Sequence, residues 1–384
     1  MLNNVAIALL WASAGWLGYS YLIYPILLPL LSSFFGRGLK VREDDALPRV
    51  AFVVPVYNEE LVVEKKIASI LSLEYPPDLL QVWIGSDCST DRTHELVRAC
   101  SDPRVNLWVA PSRGGKTGVI NRMAGTIDTD VLVMTDANTL HRTESLRAMV
   151  APFADPQVGG VAGHIDHLVA GEQVVEERLY RSFESRQKTD ESRLHSTISA
   201  FGGFYALRAS LFRPIPPTAY SNDDVLIPMD IIRQNKRVVF EPRSVSCEDL
   251  SESFSVEFKR RIRIGAGNIQ AFFWLLDFLD PLRGWPFFCY VSHKVTRWFS
   301  PLFVLLGLVA CLLLVVAPQG GGYRFAAILV LAVVGCSAFS FLVRFKPGSV
   351  LFYFLAMNVG LGLGFVRFAC GIRSAAWERT DRTR

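Results

Sequence analysis

Apolar and polar positions alternate along this chain in three textures. Between residues 50 and 135, four short apolar runs, Val50 to Val56, Gln81 to Ser86, Val105 to Ala110 and Val131 to Thr135, are separated by helix-length mixed segments. Short apolar runs bounded by turn residues predict buried strands, and their alternation with helical segments predicts a mostly parallel α/β sheet. Such sheets take ligands at the carboxyl ends of their strands. There this chain places Asn58, Glu59, Asp87, Asp91, Lys116, Asp136 and Asn138, polar groups suited to a nucleotide with a charged pyrophosphate. The second texture is long and almost uncharged. Val5 to Phe35, Trp298 to Ala317, Phe325 to Val343 and Val350 to Phe368 are each long enough to cross a bilayer, whose hydrocarbon core takes about 20 apolar residues. Val5 to Phe35 has no basic n-region and exceeds a signal-peptide core, so it reads as a retained anchor. The third texture is Ala271 to Tyr290, rich in Phe and Trp but interrupted by Asp277, Asp280, Pro281 and Arg283, which predicts a segment lying in the membrane interface.

These textures divide the 384 residues into an anchor (1–36), an α/β domain (37–268), an interfacial segment (269–297), membrane helices (298–370) and a polar tail (371–384). Basic residues Arg37, Lys40 and Arg42 follow the first span, and Lys259 to Arg263, Lys294 and Arg297 precede the second. The positive-inside rule therefore puts the α/β domain in the cytoplasm, on a multi-pass protein of the inner (plasma) membrane. Four spans would leave the tail outside, yet Arg373, Arg379, Arg382 and Arg384 favour the inside. The formal charge of +4 is modest, and the basic residues gather at membrane edges and strand ends, which fits lipid head groups and no nucleic-acid partner. Seven cysteines without CxxC spacing support neither a disulfide framework nor a zinc site. His164, His167 and His195 have no metal-ligand spacing and read as structural.

The strand ends carry the chemistry. Asn58, Glu59 and Glu60 follow a strand with helix-capping character, and a helix is expected from Leu61. Asp87 closes the second strand, where a carboxylate can accept from N3–H of a uracil. RGGKTG invites a P-loop reading, but Ala110 stands where that loop needs a glycine. Arg113, Gly114, Gly115 and Lys116 remain a cationic loop able to wrap a pyrophosphate. Asp136 and Asn138, two apart at a strand end, offer oxygens for a divalent cation, Mg²⁺ or Mn²⁺, bridging a diphosphate. The alternative is an Asx-capped turn.

These motifs together resemble a family 2 glycosyltransferase, an inverting enzyme of the GT-A nucleotide-binding fold, over about residues 48 to 268. The resemblance implies that VPVYNEE, with Pro55, Tyr57, Asn58 and Glu59, and the turn at Asp87 hold a uridine, and that Asp136 with Asn138 stands for the D-x-D metal and diphosphate motif. Asn138 departs from the second Asp, and an amide oxygen binds such cations less strongly than a carboxylate. FGGFYALR (Phe201 to Arg208) is similar to the acceptor loop, with Gly202, Gly203 and Phe204 beside the acceptor. Asp223 and Asp224 fall at the family's acidic pair, whose second member is the general base. Adjacent carboxylates raise one another's pKa, which suits a base near neutral pH. KRRIRIGAGNIQ falls where processive members carry QxxRW. With Arg263 as its Arg, Arg260 replaces the Gln and Ile264 the Trp, leaving Arg260 and Arg263 to neutralise a departing diphosphate, or to snorkel on a basic membrane-surface helix.

The expected activity is transfer of a sugar from a nucleotide-sugar, a UDP-sugar, to a hydroxyl of a glycan or lipid-linked acceptor, in cell-envelope polysaccharide or exopolysaccharide synthesis. Membrane lipid and polysaccharide export or assembly proteins are the expected partners. The anchor and late spans resemble a polymer synthase. The altered QxxRW favours single addition to a lipid-linked acceptor. A catalytically silent nucleotide-sugar-binding scaffold is the reading from a different class, and Asp136 with Asp224 speaks against it.

Overall fold

The computed structural model describes residues 2–38, 46–167, 173–248, 254–317, 321–342 and 346–371, with side chains left out for 167–181 and 340–349. The chain divides into two compact units. One contains the α/β domain within Leu28–Leu250. The other gathers the first 27 residues with the late helices.

The α/β unit is built on one eight-stranded sheet of order β3-β2-β1-β4-β7-β6-β8-β5, with strands β1 Val50–Val56, β2 Leu80–Ser86, β3 Val105–Val109, β4 Val131–Thr135, β5 Leu140–His141, β6 Val158–His167, β7 Phe204–Arg208 and β8 Arg237–Glu248. The four runs predicted from sequence are β1 to β4, which pair with one another in parallel. The second half is mixed, with β7 antiparallel to both β4 and β6, and β8 parallel to β6. Strand β1 is buried along its whole length, as a central strand covered on both faces must be. Gly85 on β2 allows the helix Gly115–Ala124 to pack close, since a Cβ there would meet Val119 at 2.5 Å and Met123 at 2.8 Å.

Register places the site. Val56 is level with Ser86, and Val53 with Met134, so the turns after β1, β2 and β4 open at one edge of the sheet. After β1 the chain makes a turn, and the helix begins at Val63, not Leu61. The turn ends in Val62 and Val63 N–H groups donating to Glu59 C=O.

Among the described residues three helices, Asn3–Phe35, Gly321–Phe339 and Val350–Ala369, are long and apolar enough to cross a membrane, and the pair Trp285–Trp298 and Ser300–Val316, bent by 52°, passes as one. The N-terminal helix runs antiparallel to that pair. Trp16 stacks on Phe303 at 4.2 Å and donates to the Thr296 carbonyl at 2.8 Å, and Tyr19 Oη meets Ser292 Oγ at 2.6 Å.

Candidate active site

The turns after β1 and β2 are laced together. Asn58, in the left-handed region at φ 55°, accepts from Thr90 N at 2.8 Å, and its own N–H donates to Ser89 Oγ. Glu59 N donates to Thr93 Oγ1, and Glu60 N to Asp91 Oδ2. Asn58 therefore braces the carboxyl edge of the sheet, and Asp91, which also accepts from Thr93 N at 3.0 Å, does the same from the facing turn. Pro55 is buried within β1.

Asp87, fully buried, is the anchor of the RGGK loop. Its Oδ1 accepts from Gly114 N at 2.7 Å, and its Oδ2 from Gly115 N at 3.0 Å and Arg113 Nε at 3.1 Å. Gly115 opens its helix at φ +71°, a conformation in which a Cβ is strained. Held by Asp87, the Arg113 guanidinium lies 3.4 Å from the centroid of the Tyr57 ring, a stacked cation–π pair. A carboxylate has about four acceptor positions, and three here are taken by the loop.

Lys116 turns inward from that loop to the centre of the site. Its Nζ lies 2.9 Å from Asp136 Oδ1 and 3.1 Å from Asp223 Oδ2. Burial opposes its charge, but Asp136, Asp223 and Asp224 outweigh burial and hold its pKa above the ordinary lysine value. Asp223 also accepts from the buried Tyr205 hydroxyl at 3.0 Å. Burial, then Asp223 and Asp224, push the Tyr205 pKa well up, so the phenol stays a donor. Asp223 and Asp224 sit in the first turn of the helix Asp223–Arg233, entered through Asn222 at φ 70°, where the helix dipole favours negative charge. Asp224 lies over Gly202: a Cβ at Gly202 would come within 3.6 Å of its Oδ2. Gly202 thus brings its backbone beside that carboxylate. Gly203 faces Thr139 instead, and Phe204 is wholly buried against His141 at 4.5 Å, so it belongs to the core beneath the loop.

The turn from Asp136 to Asn138 rests on a polar network that the sequence reading missed. Lys66, fully buried on the helix Val63–Leu71, donates to Thr135 Oγ1 at 2.7 Å and to the Thr139 carbonyl, and meets His141 Nε2 at 2.8 Å. His141 Nδ1 lies 2.7 Å from Ser246 Oγ. Burial pushes the Lys66 pKa well down against the pull of Asp136, and burial with Lys66 pushes His141 down. The signal was present: Lys66 falls on the apolar stripe of Val63, Ile67 and Ile70, where a solvated lysine does not belong. Glu248, at the end of β8, accepts from Asn138 Nδ2 at 3.0 Å. That leaves the Asn138 carbonyl oxygen as the end able to accept from a ligand. Among the described residues no group of three or more His, Cys, Asp or Glu could hold a metal. Asp136 and Asn138 offer two oxygens, fewer than a divalent cation needs without further ligands.

Arg260 and Arg263 are on the helix Phe254–Trp274 of the other unit, where Arg260 pairs with Glu257 at 3.8 Å. Of the histidines, His164 bonds Ser185 at 3.0 Å and His195 bonds Ser196 at 2.8 Å. The His167 side chain lies outside the described residues.

Residues 51–215 match the model of the family described as Glycosyl transferase family 2. The chain is 34% identical over 118 residues to a beta-monoglucosyldiacylglycerol synthase of Synechocystis sp., an alignment covering 30% of this chain and 25% of that protein. It is 24% identical over 263 residues to a poly-beta-1,6-N-acetyl-D-glucosamine synthase of Staphylococcus epidermidis, covering 65% and 61%. The chain thus spans a quarter of the first relative and about three fifths of the second. A solved mannosyltransferase from Pyrobaculum calidifontis, in complex with GDP-Man and Mn²⁺, shares the fold at TM-score 0.73 and 23% identity, covering 96% of this chain and 99% of that one. Residues 51–215 thus form a glycosyl transferase family 2 domain, on a sheet whose GT-A fold the solved mannosyltransferase shares.

Proposed function

We propose that the protein is a membrane-bound inverting glycosyltransferase that moves a sugar from a UDP-sugar to a hydroxyl of a lipid-linked or glycan acceptor, with its domain of residues 37–268 at the cytoplasmic face of the inner membrane. The observation that carries the reading is the convergence of Asp136, Asp223, Asp224 and Lys116 at one sheet edge, where Lys116 joins two carboxylates within 3.1 Å.

Each residue has a task. The stacked Tyr57 and Arg113 form a platform for the base, and the remaining acceptor position of Asp87 receives the uracil N3–H. Asp136 and the Asn138 carbonyl would hold a divalent cation, which when bound neutralises diphosphate charge. Lys116 supplies fixed positive charge beside that diphosphate. Asp224 is the general base: it takes the acceptor hydroxyl proton as that oxygen attacks the anomeric carbon from the face opposite the leaving UDP. Asp223, tied to Lys116 and Tyr205, orients the first turn that carries Asp224. Gly202, beside Asp224, lets the backbone approach the acceptor closely. Names among the relatives, glucosyldiacylglycerol and poly-N-acetylglucosamine synthases, favour lipid-borne or polymeric acceptors in envelope synthesis.

The test is UDP release by the full chain in nanodiscs over a panel of UDP-sugars with Mg²⁺ or Mn²⁺ and membrane lipid extract. Turnover with one donor should fall about 10²–10⁴-fold in Asp224→Asn and be lost in Asp136→Ala. Release that survives Asp224→Asn would sink the assignment of the base.

A further inference from the structure

The helices Phe254–Trp274 and Lys346–Ala369 lie side by side and run in the same direction. Phe254 faces Phe352 and Tyr353 at 6.1 and 6.3 Å, and Phe273 stacks on Phe368 at 5.8 Å. Between those ends the backbones touch. A Cβ at Gly360 would meet Arg261 Cβ at 3.1 Å, one at Gly364 would meet Ala266 N at 2.5 Å, and one at Gly265 would overlap the Leu361 carbonyl. Glycine on both sides of a crossing allows this close approach.

The register has a consequence for depth. Residues 257–263, which read EFKRRIR, stand beside residues 355–361, astride the midpoint of the apolar stretch Val350–Ala369. Were that stretch a span, its centre would sit in the middle of the hydrocarbon, and five charged residues would sit there with it. The one carboxylate among them, Glu257, is shared by Arg261 at 2.7 Å and Arg260 at 3.8 Å, so the cluster keeps a net positive charge. Lys259 and Arg260 are exposed and would face acyl chains. A cation at the bilayer centre disfavours insertion by about a hundredfold, whereas one at an anionic surface favours binding by about fivefold. Both factors multiply over the two residues, so the interface location wins decisively.

We propose that these two helices form one pair seated in the headgroup region of a single leaflet, with Lys259 and Arg260 against anionic lipid. The Lys346–Ala369 helix then does not cross the bilayer, and Cys370 lies on the same face as Lys259. The crossings that remain are Asn3–Phe35, the bent pair ending at Val316, and Gly321–Leu342. With three crossings, the arginines at 373, 379, 382 and 384 fall on the side that the positive-inside rule prefers, which removes the conflict that four spans create.

The inference rests on the membrane placement above but not on the chemistry, and its test reads sidedness alone. In a background with the other six cysteines replaced, one variant keeps Cys370, which is exposed. A second carries Cys370→Ser with Asp128→Cys, whose position is exposed on the catalytic domain. Both are treated with a membrane-impermeant maleimide in right-side-out and inverted vesicles. Labelling of both sites in the same vesicle population supports the proposal, and labelling in opposite populations overturns it. Both labelling in right-side-out vesicles would refute the cytoplasmic orientation while leaving the pair in its leaflet. Should the background fail to fold, the native full chain with green fluorescent protein or alkaline phosphatase fused after Arg384 gives the same decision: fluorescence supports the inference, phosphatase activity overturns it.

Discussion

Lys116→Met is the substitution on which the proposed site stands or falls. It keeps the length and most of the volume of the side chain and removes the ammonium held 2.9 Å from Asp136 and 3.1 Å from Asp223. At about 3 Å and an effective dielectric of about 20, each contact has a gross attraction on the order of 5 kcal/mol. Desolvation cancels much of that. Breaking a buried pair from one side costs about 3–5 kcal/mol, because the partner charge is left uncompensated. Here the lysine is 25% and Asp136 36% exposed, so solvent screening lowers the expected cost to about 1–3 kcal/mol. For a domain of this size that is a fall in Tm of roughly 2–12 °C.

The same geometry predicts which additive restores stability. Without Lys116 the carboxylates of Asp136 and Asp223 lose the ammonium that joins them, so Mn²⁺ should bind the variant more tightly than the wild type and raise its Tm more. Thermal unfolding in nanodiscs, followed by tryptophan fluorescence with and without Mn²⁺, reads both effects. A variant within 1 °C of wild type in chelator, or equal Mn²⁺ shifts for the two proteins, would refute the view that Lys116 is the cation balancing this site.

The other predictions concern the scaffold under the site. Lys66→Met removes the donor shared by Thr135, Thr139 and His141; leaving buried acceptors unpaired should cost about 1–3 kcal/mol, and turnover should fall with little change in nucleotide affinity, by calorimetry and UDP release together. Gly115→Ala forces a side chain into φ +71° at about 1–2 kcal/mol and disturbs the N–H that Asp87 holds, so nucleotide affinity should drop; unchanged affinity would show that the loop does not contact the ligand. Burial, then Arg237 and Arg37, press the His195 pKa down to about 4. Because the unfolded chain takes up that proton near pH 6.5 while the folded chain resists until about 4, stability should fall as pH drops through that window, by up to about 1.4 kcal/mol per unit, and His195→Asn should flatten the slope in pH-dependent urea unfolding.

How much of this was legible follows from what each signal encodes. The first four strands could be read to within a residue at either end, because an apolar run stops where its strand leaves the core, and the turns that follow were forced to carry the polar groups. Strands β6 to β8 were not read as strands. Val158–His167 holds three glycines and two histidines, and Arg237–Glu248 holds charges; their alternation is blurred because they pair in a mixed sheet whose small residues let helices and Phe204 approach. At the site, the sequence located Asp87, Lys116, Asp136 and Asp223 but not their partners. Pairing depends on register between strands, and no local pattern carries it: the loop that looked made for phosphate is anchored by Asp87, and its lysine reaches across to Asp136 and Asp223. Lys66 shows the converse. A single charge on an apolar helix face is weak evidence by position, yet burial without compensation is so unfavourable that such a residue must have partners. The partners it found are the threonines bracketing the turn from Asp136 to Asn138 and the histidine beyond them, which makes the buried face of Val63–Leu71 a support of the proposed site and not only of the core.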